Sequence, residues 1–252
     1  MEKITRKSLL YKSKVEYADF CINHVEGCSH GCTFPCYAMM MAKRFGRITT
    51  YKDWLKPKII ANSLQLLDKE IPKYRSQIKF VHLSFMTDPF MYRQPDVVRL
   101  TVDILKKLHS NHIKCTVLTK GIYPSQIGNL KGNEYGITLV SLNEEFRKRF
   151  EPHSAPYGKR LSSLKRLHDL GHKTWVSMEP YPTPNIIKQD LMEVLNAVSF
   201  VDKIIFGRLN YSVKSSEFLH MKEFYNSSAS FVIKFCKQNK IDYHIKQGTQ
   251  TN

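Results

Sequence analysis

Cys28, Cys32 and Cys36 stand four residues apart in GCSHGCTFPC and hold half of the chain's six cysteines. Thiols this close in sequence can converge on one metal centre, but they cannot readily pair with each other. Three readings are open. A zinc ion could take the three thiolates with His24 or His30 as fourth ligand, although structural zinc usually draws its ligands as two knuckles. An iron-sulfur cluster is held by thiolates, and a cluster with only three of them leaves one iron open to an exogenous ligand. The plainest reading, cysteines as small buried apolar residues, fits poorly with the Gly and Ser between them. The remaining Cys21, Cys115 and Cys236 are isolated, and a reducing compartment would keep them as thiols; Cys115, in a strand pattern, and Cys236, in a helical one, read as core.

Such a loop must be held by regular elements, and the chain supplies β-rich runs alternating with helical patterns. A strand over 17–25 precedes the cysteines. KFVHLSFM (79–86) reads as a buried strand, and Val97, Thr101, Ile104, Leu105 and Leu108 then fall on one helical face. KCTVLTKG (114–121), GITLVSL (136–142), KTWVSMEP (173–180) and KIIFGRL (203–209) read as further strands, with a last short one in IDYHIK. Between and after them come a leucine stripe at 161, 164, 167 and 170 closed by Gly171, a helix with Leu191, Val194, Leu195 and Val198, and an amphipathic segment over 215–238. Six or seven strands alternating with helices imply a parallel sheet, as a barrel, complete or incomplete, or as an open doubly wound sheet. Either way, residues at the carboxyl ends of the strands face the reaction site. They form a polar ring: Ser84, Thr87 and Asp88; Thr119 and Lys120; Ser141 and Asn143; Ser177 and Glu179; Arg208 and Asn210.

Charge bears on the partner. The 252 residues carry a formal net charge of +17, which raises the local concentration of polyanions and favours an anionic partner, with nucleic acid the leading guess. Solvated surface is the plain alternative, because the basic residues are dispersed along the chain. No apolar run is long enough to span a bilayer, and MEKITRKSLLYKSK lacks the apolar core of a secretory signal, so a cytoplasmic protein without membrane contact is expected. No repeat or linker divides the chain, so one domain over 1–252 is expected, with its core at about 17–210 and a helix and short strand in 211–252.

INHVEGCSHGCTFPCYA resembles the first-strand loop of radical S-adenosylmethionine (SAM) enzymes, and within them the spore photoproduct lyase-like group. The resemblance continues in order through SFMTDPF, VLTKG, VSLNEEFRKRFEPHSAPYGKRLSSLKRLHDLG and SMEP, over about 17–210. It implies an α/β fold, a partial (β/α)6 TIM-type barrel of parallel strands with outer helices. It also implies a [4Fe-4S] cluster on Cys28, Cys32 and Cys36, whose open iron is chelated by SAM and which cleaves SAM to a 5′-deoxyadenosyl radical that abstracts hydrogen. An external electron donor such as flavodoxin or ferredoxin is implied too. By the same resemblance Lys120 lies near the SAM carboxylate or ribose, Ser141 and more weakly Ser84 or Thr87 contact its methionyl and ribose parts, and Tyr37 packs on adenine.

Two departures stand out. The family spacing is C-x3-C-x2-C, whereas this chain reads C-x3-C-x3-C, with Phe34 and Pro35 before Cys36. Photoproduct lyases proper place a hydrogen-donor cysteine near the end of the second strand, and SFMTDPF has none, so a different reaction of lyase or transferase type is expected. No second cysteine set exists for an auxiliary cluster, which counts against peptide-modifying radical enzymes that carry one. The competing readings are the same chemistry on a small metabolite or peptide, and a non-catalytic zinc-stabilised nucleic-acid-binding module. Glu151 and Arg160 either pair with each other or touch SAM; Asp88 reads more simply as a turn-former, and His153 and His168 as polar surface.

Overall fold

The computed structural model describes residues 1–13 and 18–251. In chain order the strands are β1 (Glu2–Ile4), β2 (Leu10–Lys12), β3 (Phe20–Ile22), β4 (Val25–Glu26), β5 (Lys58–Ile60), β6 (Phe80–Leu83), β7 (Lys114–Thr119), β8 (Glu134–Thr138), β9 (Lys173–Tyr181), β10 (Lys203–Arg208) and β11 (Asp242–Ile245). The helices are α1 (Tyr37–Arg44), α2 (Tyr51–Trp54), α3 (Ser63–Tyr74), α4 (Pro95–Ser110), α5 (Glu144–Phe150), α6 (Tyr157–Asp169), α7 (Leu191–Ala197), α8 (Val213–Ser216) and α9 (Met221–Asn239).

Eight strands form one sheet in the order β11-β10-β9-β8-β7-β6-β3-β2. From β3 to β11 the pairings are parallel, and only β2 runs antiparallel on β3 at the edge. The sheet ends at β11 and β2 without closing, so the expected partial barrel is what the chain builds. Strands β6 to β10 are buried along most of their lengths, the pattern of strands covered on both faces. The α4 face drawn from the sequence is fully buried at Val97, Thr101, Ile104, Leu105 and Leu108. Pro95 opens that helix, where its missing N–H costs nothing, and Lys107 and His109 sit in the last turn, where cations suit the dipole. No described helix is long and apolar enough to cross a membrane.

Several boundaries differ from the sequence expectation. The strand expected over 17–25 begins at Phe20, with Tyr17 outside the described residues, and Val25 leaves it to join β5 and β1 in a separate three-stranded sheet. The strand expected over 136–142 stops at Thr138, so Ser141 lies beyond it. Leu170 ends the α6 stripe exposed, because it is the residue at which the helix stops before Gly171 turns left-handed at φ +80°. The segment over 215–238 divides into α8 and α9.

Gly121, two residues after the end of β7, is required by close approach. A Cβ there would lie 1.7 Å from the carbonyl oxygen of Phe90. Gly121→Ala is therefore expected to cost at least about 3 kcal/mol, read as a lowered urea midpoint and loss of soluble protein.

Candidate active site

The cysteine loop is pinned from both sides. Gly27, at φ +78°, lets the chain turn beneath α2, and the Cys28 amide donates to the Trp54 carbonyl at 2.8 Å. The Tyr51 hydroxyl donates to the Cys32 carbonyl at 3.2 Å. Burial, and after it the thiols of Cys32, Cys28 and Cys36, raise the pKa of that hydroxyl. The inserted stretch is absorbed by aromatic packing: Phe34 is buried, stacks on Phe150 at 4.8 Å and tilts against Phe146 at 5.7 Å. The Thr33 amide donates to the Phe150 carbonyl at 3.0 Å, and Cys36 then caps α1 in an extended conformation. The longer spacing is thus taken up by anchoring Phe34 on α5.

All three cysteines line one cavity of about 510 Å³ at the carboxyl ends of the strands. Its wall contains most of the ring drawn from the sequence: Ser84, Thr87 and Asp88; Thr119 and Lys120; Ser177 and Glu179; Arg208 and Asn210. Ser141 does not line it; that side chain is fully buried and accepts from the Asn143 amide at 3.1 Å. Thr138, at the end of β8, takes the place in the wall that the overlong strand had assigned to Ser141. Ser84 has φ +63° and its Oγ lies 3.3 Å from His24 Nδ1. The Thr87 hydroxyl donates to the Gly27 carbonyl, tying β6 to the loop. Tyr37 is half exposed and meets Phe85 edge-on at 5.9 Å.

Behind Cys32 lies a buried ion network. Lys120 Nζ is 2.7 Å from Glu151 Oε1 and 3.6 Å from Cys32 Sγ, and Arg160 donates to Glu151 Oε2 at 2.6 Å. Arg160 and Glu151 are fully buried, and Arg160 also donates to the carbonyls of Ala155 and Thr138. Burial alone would raise the Glu151 carboxyl, but the Lys120 and Arg160 cations outweigh it and hold it at about 2. Burial pushes the Cys32 thiol up to about 11 despite Lys120, and raises Cys28 further, with Asp88 adding to the effect. The ion pair left open by the sequence is therefore formed, and it reaches the cavity through Lys120.

Asp88 has the turn role expected of it and more. Its carboxylate accepts from the Phe90 amide at 2.9 Å, the Thr119 hydroxyl at 2.6 Å and the Lys120 amide at 2.7 Å. His30 lies 3.5 Å from it through Nδ1, while His30 Nε2 accepts from the Tyr92 amide at 3.1 Å. His24 is likewise engaged through both nitrogens, with Thr101 at 2.7 Å and with Ser84. Neither histidine is left to complete a Cys3His zinc site. Among the described residues no three Cys, His, Asp or Glu side chains converge on a single-ion position. Three thiols lining one cavity, with both nearby histidines engaged elsewhere, suit a multinuclear cluster, whose irons are separate points of attachment.

A family profile described as the Radical SAM superfamily matches residues 22–198. This chain belongs to the radical SAM superfamily. The superfamily's cofactors are a [4Fe-4S] cluster and SAM, and the donor set around the cavity fits them. Among curated relatives, an uncharacterized protein of Acidianus two-tailed virus is 26% identical over 218 residues, covering 77% of this chain and 69% of its own length. An uncharacterized protein of Methanocaldococcus jannaschii is also 26% identical, over 226 residues, covering 88% of this chain and 82% of its own length. Among solved structures, spore photoproduct lyase complexed with dinucleoside spore photoproduct aligns at TM-score 0.68 and 12% identity, covering 96% of this chain and 80% of the lyase. Streptococcus suis SuiB bound to S-adenosylmethionine aligns at TM-score 0.57 and 11% identity, covering 90% of this chain and 46% of SuiB. These two likenesses extend the radical SAM fold to nearly the whole chain.

Some cavity residues escaped the sequence reading. Lys246 lies directly after β11 and ion-pairs with Glu179 at 3.6 Å; the strand-end rule applied to IDYHIK would have found it. His82, Phe85, Trp54 and Tyr211 also line the wall, and no residue-type or spacing signal distinguishes them from ordinary core or surface.

Proposed function

We propose that this chain is a radical SAM enzyme whose cavity holds a [4Fe-4S] cluster on Cys28, Cys32 and Cys36 and takes an anionic substrate, with nucleic acid as the leading class. The observation that carries this is that the three cysteines and a strand-end polar ring line one cavity of about 510 Å³. When bound, the cofactors supply one-electron cleavage of a sulfonium and hydrogen abstraction from carbon.

The chain's own residues bind and orient. Of the Lys120, Glu151 and Arg160 network, Lys120 brings its ammonium to the cavity wall, suited to a carboxylate group of SAM. Tyr37 offers a ring to the adenine, and the hydroxyls of Ser84 and Thr87 are the polar contacts on the β6 side. Ser141, engaged away from the cavity, takes no part in this reading.

Substrate class rests on the rest of the wall. Tyr37, Phe85 and His82 form an aromatic run, with successive rings 5.9 and 6.3 Å apart, while Arg208 and Lys246 bring cations from β10 and β11. Rings that stack bases, together with cations that meet phosphate, form the pattern of single-strand or flipped-base recognition. The net charge of +17 favours the same partner. The dinucleoside ligand of the spore photoproduct lyase structure is in keeping with this.

The test is anaerobic release of 5′-deoxyadenosine from SAM by the reconstituted protein with a strong reductant, with and without single-stranded DNA or RNA. Nucleic acid should stimulate release; no release under any condition overturns the enzyme. Arg208→Ala is expected to weaken nucleic-acid affinity about tenfold and lower the log affinity against log salt slope by about one, as loss of one phosphate contact requires. A wild-type slope near zero removes nucleic acid from the proposal.

A further inference from the structure

The outer side of the cysteine loop is covered by α1, α2 and the turn between them. Over residues 43–56 this cover carries Lys43, Arg44, Arg47, Lys52 and Lys56 against the single acid Asp53. All five cations are exposed, and none forms an ion pair with another described residue. Asp53 is occupied locally: its carboxylate accepts from the Thr50 amide at 2.7 Å, and its amide donates in return to the Thr50 hydroxyl oxygen at 3.2 Å, a capping box. Two aromatic rings stand among the cations, Phe45 at 66% exposed and Tyr51 at 41%.

This face touches the cluster ligands without belonging to the cavity. Tyr51 reaches the Cys32 carbonyl, Trp54 accepts from the Cys28 amide, and Cys36 is the residue from which α1 starts. Of residues 43–56 only Trp54 lines the cavity. A substrate must enter the cavity, whereas a reductant needs only a short path to the cysteines from outside. Cationic residues around exposed aromatics are the complement of an acidic protein surface, and such pairing speeds encounter.

Resting on the radical SAM reading above, we propose that the α1–α2 face centred on Phe45 and Tyr51 is the docking surface for an acidic one-electron carrier protein. One electron leaves the reduced carrier and arrives at the cluster held by Cys28, Cys32 and Cys36; the carrier is left oxidised by one electron, and no bond is made or broken. The exposed Tyr51 ring and its hydrogen bond to the Cys32 carbonyl provide a bonded route inward.

The experiment uses the full chain, reconstituted anaerobically, with a reduced acidic flavodoxin as the carrier and dithionite as the small-molecule control. Cluster reduction is followed by loss of visible absorbance and by electron paramagnetic resonance, so SAM turnover is not the readout. A Lys43→Glu, Arg44→Glu, Lys52→Glu variant is expected to slow reduction by flavodoxin at least about tenfold, with the dithionite rate unchanged. For the wild type, the flavodoxin rate should fall steeply up to about 0.5 M salt, because opposite surface charges are screened, and the apo protein should lose flavodoxin binding over the same range. These wild-type measurements stand even if the variant does not fold. Unchanged reduction by flavodoxin in a folded variant, or a salt-independent wild-type rate, overturns the proposal. So does a variant that loses single-stranded DNA affinity while keeping its flavodoxin rate, which would make the face a nucleic-acid surface. A wild type that takes up iron and is reduced by dithionite but not by flavodoxin overturns the docking face and leaves the enzyme reading intact; a wild type that takes up no iron overturns both.

Discussion

Cys32→Ala is expected to leave the anaerobically reconstituted protein without its cubane, with iron falling from about four per chain to below about one and 5′-deoxyadenosine release lost. The reason lies in the count of ligands. Three thiolates are the fewest that hold a cubane with one iron left open, and both nearby histidines, His24 and His30, are occupied on each ring nitrogen. Neither histidine is free to replace the lost sulfur. A zinc module predicts a different outcome, a colourless wild type with one zinc per chain, and that result would sink the cluster assignment. Iron and zinc analysis of wild type and variant in parallel decides between them.

Arg160→Met is the expected largest loss of stability, about 3–5 kcal/mol, because it leaves the buried Glu151 carboxylate with one cation instead of two. Urea unfolding at neutral pH measures it. The double variant Arg160→Met with Glu151→Gln should recover part of the loss, since the uncompensated charge is then gone; a double variant no better than the single would locate the effect in packing. The pH dependence has a definite sign. Glu151 is held at about 2 in the folded chain and titrates near 4.3 when unfolded, so its contribution is complete above that unfolded value and is lost as pH falls towards 2. In Arg160→Met the folded value rises, so Glu151 contributes less stability above pH 4.3 than it does in the wild type.

Much of the barrel was legible because parallel strands buried on both faces are written as near-continuous apolar runs, such as KIIF in β10 and TWVSM in β9. The α4 stripe was legible for a similar reason, its five face residues recurring at helical spacing. The region between Cys36 and Lys79 was not. β5 is three residues long and finds its partners only through β1 and β4, which are shorter still or equal. α3 buries Leu66, Leu67 and Ile71 but also Glu70, whose carboxylate accepts the amides of Leu9 and Leu10 at 3.0 and 2.7 Å. A buried acid breaks the polar-out pattern from which helices are read, and its reason lies about sixty residues away.

The site divides in the same way. Residues at strand ends could be named before any coordinates, since a parallel sheet sends them to one side. Ser141 was misplaced by a strand drawn four residues too long, which moved the expected wall position from Thr138 to a residue engaged with Asn143. Phe85 and Tyr211 reach the cavity from the loops after β6 and β10, for which a single sequence holds no periodic sign, and His82 reaches it from within β6, where its side chain breaks the apolar run.

The stacking of Phe34 on Phe150 joins the cysteine loop to the helix that leads into Glu151. Whatever firms the loop therefore firms the ion network behind Cys32 as well, and if the loop holds the proposed cluster, by reciprocity a well-seated α5 would tighten its hold. In this chain the inserted residue acts as a strut between the cysteine loop and the helix that sets the charge behind it.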